Sequence, residues 1–160
     1  MMADGVDFDL TGLDSLLQKL EGLNLDVKKK GGRFALRKAA NIVAASARAA
    51  ALRMDDPGTG RSIAKNVAVR WNGQVFKKTG NLAFRVGILG GAKLKDHPNL
   101  SSGSPTPHWR LLEFGTEKMA ARPFMRPALE NNLNQVASTF ITEYEKAIDR
   151  AIRRSGGGGT

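Results

Sequence analysis

Residues 109–130 read WRLLEFGTEKMAARPFMRPALE, and their reading decides how the rest of the chain is put together. A short apolar run ends at Gly115, and Glu-Phe-Gly-Thr forms a corner over residues 113–116. Pro-Phe-Met-Arg-Pro at 123–127 then leads into a long helix. Gly115 is expected at positive φ, where a side chain would be opposed. Pro123 and Pro127 restrict the backbone around Phe124 and Met125 and hold that pair extended. Rigid apolar groups on a corner lose little entropy on docking, although Phe124 suits the core as well. Glu113, between Leu112 and Phe114, is expected partly buried and paired with Arg122 or Arg126. Two readings of that pair stand level: an ion pair across a subunit contact, or a clamp within the chain. The candidate subunit or partner contacts are therefore Glu113, Phe114, Gly115, Thr116, Arg122, Pro123, Phe124, Met125, Arg126 and Pro127.

On the C-terminal side, Leu129, Leu133, Val136, Phe140, Tyr144, Ala147 and Ala151 recur at steps of three and four. This spacing predicts one long helix over residues 127–154. Pro127 suits its first turn, and Arg150, Arg153 and Arg154 suit its end. Residues 155–160 (SGGGGT) are expected to be disordered.

On the N-terminal side, residues 92–107 are polar and rich in Ser and Pro, and are expected to form a mobile, exposed loop. Residues 66–76 (NVAVRWNGQVF) alternate around Asn72-Gly73, the favoured two-residue hairpin turn. Residues 84–89 (FRVGIL) alternate as a further strand, giving a sheet of three or four short strands. Nine alanines between Ala35 and Ala51 predict a helix over residues 33–54, with KKKGG at 28–32 breaking the chain before it. Residues 55–60 (DDPGTG) make a turn, and Asp55 and Asp56 are placed either to cap the segment 59–65 or to pair with a basic neighbour. Leu13, Leu16, Leu17 and Leu20 predict a short first helix over residues 8–20, capped by Thr11 or Asp14.

Together these elements give an α+β fold, a small antiparallel β-sheet packed with a long Ala-rich helix and a long C-terminal helix. The expected organisation is an acidic arm with a short helix (1–27), one α+β domain (28–154) carrying the mobile loop 92–107, and a disordered Gly-rich tail (155–160).

Composition narrows the function. The chain has no cysteine, so disulfides and thiolate metal sites are excluded. No apolar run approaches the roughly 18 residues that cross a bilayer, and Asp4, Asp7 and Asp9 do not suit the basic start of a signal peptide. A soluble cytoplasmic product, with no membrane partner, is expected. The net charge of +10 is unevenly spread. Residues 1–27 hold six acids against one base, a balance of −5 that leaves +15 on the remainder. An acidic arm on a basic body could dock on a neighbouring subunit's basic face.

Catalytic chemistry finds no support. His97 and His108 lie in or beside the polar loop without further ligands, so no metal site is expected. Residues 58–62 (GTGRS) lack the Gly-Lys-Ser/Thr ending of a phosphate loop, and Gly87, Gly90 and Gly91 do not match a dinucleotide fingerprint. No catalytic residue and no cofactor is assigned.

The corner residues resemble a known family. Leu112-Glu113-Phe114-Gly115-Thr116, followed by Met119-Ala120-Ala121-Arg122-Pro123-Phe124-Met125-Arg126-Pro127-Ala128-Leu129, is similar to a segment of the tail-component family of tailed bacteriophages. Residues 11–16 (TGLDSL), Thr59-Gly60 with Ser62-Ile63, and Arg85-Val86-Gly87 resemble further positions of that family. Trp109-Arg110 departs from the aromatic-Ala pair common ahead of the Glu, and the loop 92–107 has no counterpart. The resemblance implies a non-enzymatic neck or tail-completion protein of a long-tailed phage. It implies a ring of copies, six being the implied number, at the head-tail junction or the top of the tail. Its partners would be a tail terminator, a head-tail connector or other tail proteins, with passing contact to genome DNA. It would be assembled in the host bacterial cytoplasm and reside in the virion.

The alternative is a basic nucleic-acid-binding protein. Arg33, Arg37 and Arg48 on one helix, and Arg150, Arg153 and Arg154 on another, could track phosphates. There is no recognisable reading motif and little aromatic interleaving for base stacking.

Overall fold

A computed structural model describes residues 10–55, 58, 62–89 and 106–156. The described chain is mostly helical with one two-stranded antiparallel sheet, an α+β fold. It divides into two compact units. The first comprises Met1–Ala39, Asn72–Ala83 and Leu133–Thr160; the second comprises Ala40–Trp71 and Phe84–Asn132.

In the first unit, α1 (Leu13–Glu21) lies on α7 (Leu133–Gly156). Leu16 is buried at the contact, while Leu17 of the predicted stripe faces solvent. Lys19 Nζ reaches Glu145 (2.8 Å) and Asp149 (3.2 Å), and Ser15 Oγ donates to Glu145. Neither Thr11 nor Asp14 caps α1. Gly12 occupies that position at φ 89° with no side-chain hydrogen bond. Phe8 lies outside the described residues.

Helix α2 (Leu25–Leu52) starts earlier than predicted and runs straight through KKKGG. The reason is packing. Gly31 and Gly32 are buried, and the Tyr144 ring of α7 occupies the space their side chains would take. A Cβ on Gly31 would lie 3.1 Å from Tyr144 Cε2, and one on Gly32 would lie 2.8 Å from Leu82 Cδ1. The Tyr144 hydroxyl donates to the Lys28 carbonyl at 2.9 Å. Two glycines cost a helix about 2 kcal/mol relative to alanine, and the closely seated ring offsets that cost. On α7 the predicted stripe is half-buried, and the deepest residues are Ile141 and Ile148 beside it.

In the second unit, Val43, Ala44, Ala47 and Ala51 of α2 are buried. Asp55 follows the helix and accepts hydrogen bonds from the Ser62 hydroxyl (2.7 Å) and the Ile63 N–H (2.8 Å). It caps α3 (Ile63–Asn66), as expected; Asp56 lies outside the described residues. Strand β1 (Val67–Trp71) pairs with β2 (Phe84–Ile88), Val69 opposite Val86 and Trp71 opposite Phe84. The Trp71 and Phe84 rings meet edge to face at 5.3 Å. Arg48 of α2 donates to the Val67 carbonyl at 3.0 Å, fixing the start of the sheet.

The predicted Asn-Gly hairpin and the third and fourth strands do not form among the described residues. Asn72 instead caps α4 (Gly73–Thr79), its side-chain oxygen accepting from the Val75 N–H, and the two strands pair across that helix. Asparagine serves both turns and helix N-termini, so the dipeptide alone does not choose between them.

The single helix predicted over 127–154 is interrupted. Helix α6 (Met125–Glu130) ends before α7 begins at Leu133. At the break the Asn132 side-chain amide donates to the Ala128 carbonyl at 2.8 Å. A side chain thereby occupies an acceptor that the backbone ladder would use. Helix α7 continues to Gly156, two residues into the predicted tail, with Ser155 Oγ donating to the Ile152 carbonyl. Residues 157–160 and most of the predicted loop (92–105) lie outside the described residues.

Candidate functional site

The corner belongs to the second unit. Helix α5 (Trp109–Phe114) is six residues long and apolar on most sides, so it cannot bury every large group at once. The residue it buries is the charged one: Glu113 is 2% exposed, whereas Leu111 is 50% and Phe114 66% exposed. Leu111 and Phe114 are three apart and share the outward face.

Glu113 goes inside because its oxygens are filled by backbone. Oε2 accepts from the Phe124 N–H at 2.7 Å and the Met125 N–H at 3.0 Å, and Oε1 accepts from the Arg126 N–H at 3.1 Å. These are unsatisfied donors of the first turn of α6, whose N-cap residue, Phe124, supplies no side-chain cap. Burial alone would raise the carboxyl pKa. The N–H groups of Met125, Phe124 and Arg126, then the Arg126 guanidinium, outweigh it and lower the pKa below 4.5.

Around this cap the corner is tightly closed. Gly115 sits at φ 74° and ψ 178°, and a Cβ there would meet the Ala121 nitrogen at 2.8 Å and the Met119 oxygen at 2.9 Å. The positive φ expected from the sequence is present, and the close backbone approach independently requires glycine. Thr116 and Met119 exchange backbone hydrogen bonds, and the Arg122 N–H donates to the Leu112 carbonyl at 2.7 Å. Phe124 is 1% exposed and meets the Trp109 ring edge to face at 6.5 Å.

The ten predicted contact residues thus sort by position. Glu113 and Phe124 are interior. Gly115, Met125 and Pro127 are half-buried. Phe114, Thr116, Arg122, Pro123 and Arg126 are exposed. Of the two predicted partners for Glu113, Arg126 pairs with it, Nε lying 3.6 Å from Oε1. The same guanidinium lies over the Phe114 ring at 5.7 Å. Arg126 therefore joins the buried carboxylate to the exposed aromatic. Leu111, Met119 and Leu129, all exposed large apolar groups near the corner in the chain, were not among the predicted contacts, and Leu129, predicted to open the stripe of the long helix, lies in α6 and is 47% exposed. The available signal was the crowding of apolar residues in WRLLEF: once Glu113 turns inward, Leu111 and Phe114 must turn outward.

Among the described residues no group of three or more His, Cys, Asp or Glu could hold a metal ion, and no helix is long and apolar enough to cross a membrane. What the corner has is a buried charge used as a helix cap and apolar side chains left outside. Residues 14–115 match the model of the family described as "Bacteriophage HK97-gp10, putative tail-component". That match covers more than half of the chain, and the chain belongs to this family. As a phage tail component it is a part of the virion and works among other tail proteins. The matched region includes α5 and Glu113 and ends at Gly115, so α6 lies beyond it. No curated protein and no solved structure matches the chain.

Proposed function

We propose that the protein is a non-enzymatic neck or tail-completion component of a long-tailed bacteriophage, closing a ring of copies at the head-tail junction or the top of the tail. The observation that carries this reading is the outward face of the corner. Phe114 is two-thirds exposed beside a fully buried Glu113, and Arg126 contacts both. A large aromatic held in one place is an efficient anchor, because little freedom remains to be lost on docking. A closed ring needs head-to-tail contacts between unlike surfaces, and such a corner supplies one of the two. The tail terminator, the head-tail connector or the next copy of the chain would receive it.

The test is Phe114→Ser with Met119→Ser. Both residues are exposed, so thermal melting should stay close to wild type, while joined, infectious particles are lost. Wild-type particle yield from this variant would remove the corner from the assembly surface.

The basic excess supports a second contact, with genome DNA. It predicts DNA affinity that falls steeply with salt. A ring that resists nuclease would show that assembly does not depend on that contact.

A further inference from the structure

The first unit carries a groove of about 510 Å³ between α2 and α7 that the corner does not use. Its sides come from positions 27, 30, 31 and 34 of α2 and 147, 150, 151 and 154 of α7. Each set is spaced at three and four, so each is one helix face. Gly31 and Ala151 keep the groove open, and the Phe34 ring, 41% exposed, supplies an apolar wall. Its charge is all of one sign. Lys30, Arg150 and Arg154 line it, and none of them has a carboxylate partner among the described residues. Arg150 lies over the Phe34 ring at 5.3 Å, holding a cation at the rim.

We infer that this groove receives the acidic N-terminal segment, residues 1–10, of a second copy of the chain. The segment reads MMADGVDFDL: three aspartates, no lysine or arginine, and Val6 and Phe8 as apolar groups. Acid faces base, and the apolar side chains have Phe34 and a floor of small residues to meet. To lie in its own groove the segment would have to reverse direction at Gly12. Gly12 lies beside Ile141, while Ser15 and Lys19 reach Glu145 and Asp149, so α1 runs in the same direction as α7. The chain therefore enters α1 from the Ile141 end, about 15 Å along α7 from Ala151. The inference rests on the ring reading above and names one of its copy-to-copy contacts.

The absence of cysteine makes the test clean. Asp7→Cys and Ala151→Cys together introduce the only two thiols in the sequence, and a disulfide forms only if the two positions come within about 7 Å. Oxidation of the purified protein, and of particles built from it, should give a covalent ladder of multimers on a non-reducing gel. Arg150→Glu with Arg154→Glu should cut the ladder roughly tenfold by opposing the aspartates. Rising salt should weaken it in the parent pair, a readout that needs no charge variant to fold. The inference is overturned by no cross-link, by closure within single chains only, or by a ladder indifferent to both charge reversal and salt. It is also overturned if charge reversal abolishes DNA binding and leaves the ladder unchanged, which would make the groove a nucleic-acid surface. Joined particles without a ladder would remove this contact and leave the tail-ring reading standing. A ladder from a chain absent from particles would do the reverse.

Discussion

Burying a carboxylate is costly unless its oxygens are filled, and at Glu113 three N–H groups of a helix start fill them. Glu113→Ala leaves those donors without an acceptor inside the protein and should cost about 2–4 kcal/mol, measured by chemical denaturation. Glu113→Gln keeps the shape and separates the charge. Because the folded pKa lies below 4.5, the carboxylate's stabilisation is fully present above that value and is lost as pH falls through the lower folded value. Wild-type stability should therefore decline more steeply across that acid window than that of Glu113→Gln. Parallel pH profiles would show that the charge contributes nothing. Gly115 makes the companion case. Gly115→Ala meets backbone at 2.8 Å as well as a positive φ, whereas Gly80→Ala has a similar φ of 75° and nothing within 4 Å. The first should cost clearly more than the roughly 1 kcal/mol expected of the second, and equal losses would mean that only φ matters.

The elements show where sequence reading runs out. Helix α7, the Ala-rich part of α2, the strands at 67–71 and 84–88 and the cap from Asp55 follow from local pattern, because each is decided by residues within a turn or two. The corner's glycine and its Glu–Arg pair were legible from residue type: a breaker closing an apolar run, and a carboxylate within it that needs a nearby cation. Three things did not follow from the pattern. The KKKGG stretch stays helical because Tyr144, more than a hundred residues away, seats on its glycines. Asn72 caps a helix where a hairpin turn was expected, and no local feature separates the two uses. The break at Asn131 and Asn132 depends on one side-chain amide reaching Ala128. The Tyr144 contact can be checked by a double-mutant cycle. Gly31→Ala should destabilise the wild type, because the ring is tied to the Lys28 carbonyl and cannot retreat. In a Tyr144→Ala background the same change should be neutral or stabilising through helix propensity, giving a coupling above about 0.5 kcal/mol. Additive effects would mean that the ring does not set the helix.

At the scale of the whole molecule, the chain combines membership of a phage tail-component family with a net charge of +10 and a corner that turns apolar groups outward. Arg126 offers a way to separate folding from assembly. Its side chain is 61% exposed, so its ion pair with Glu113 is worth at most about 1 kcal/mol. Its position over Phe114 nonetheless fixes the proposed anchor. Arg126→Ala should leave the melting temperature nearly unchanged and lower the yield of joined particles; a yield that stays at wild type would detach the guanidinium from docking. The most direct measurement is electron cryomicroscopy of the assembled tail, with this chain traced in the density. The account predicts copies arranged in a closed ring, with the Phe114 side chain covered by a neighbouring subunit or tail protein. Density in which Phe114 faces open solvent in every copy, or a particle that lacks the chain, would contradict it.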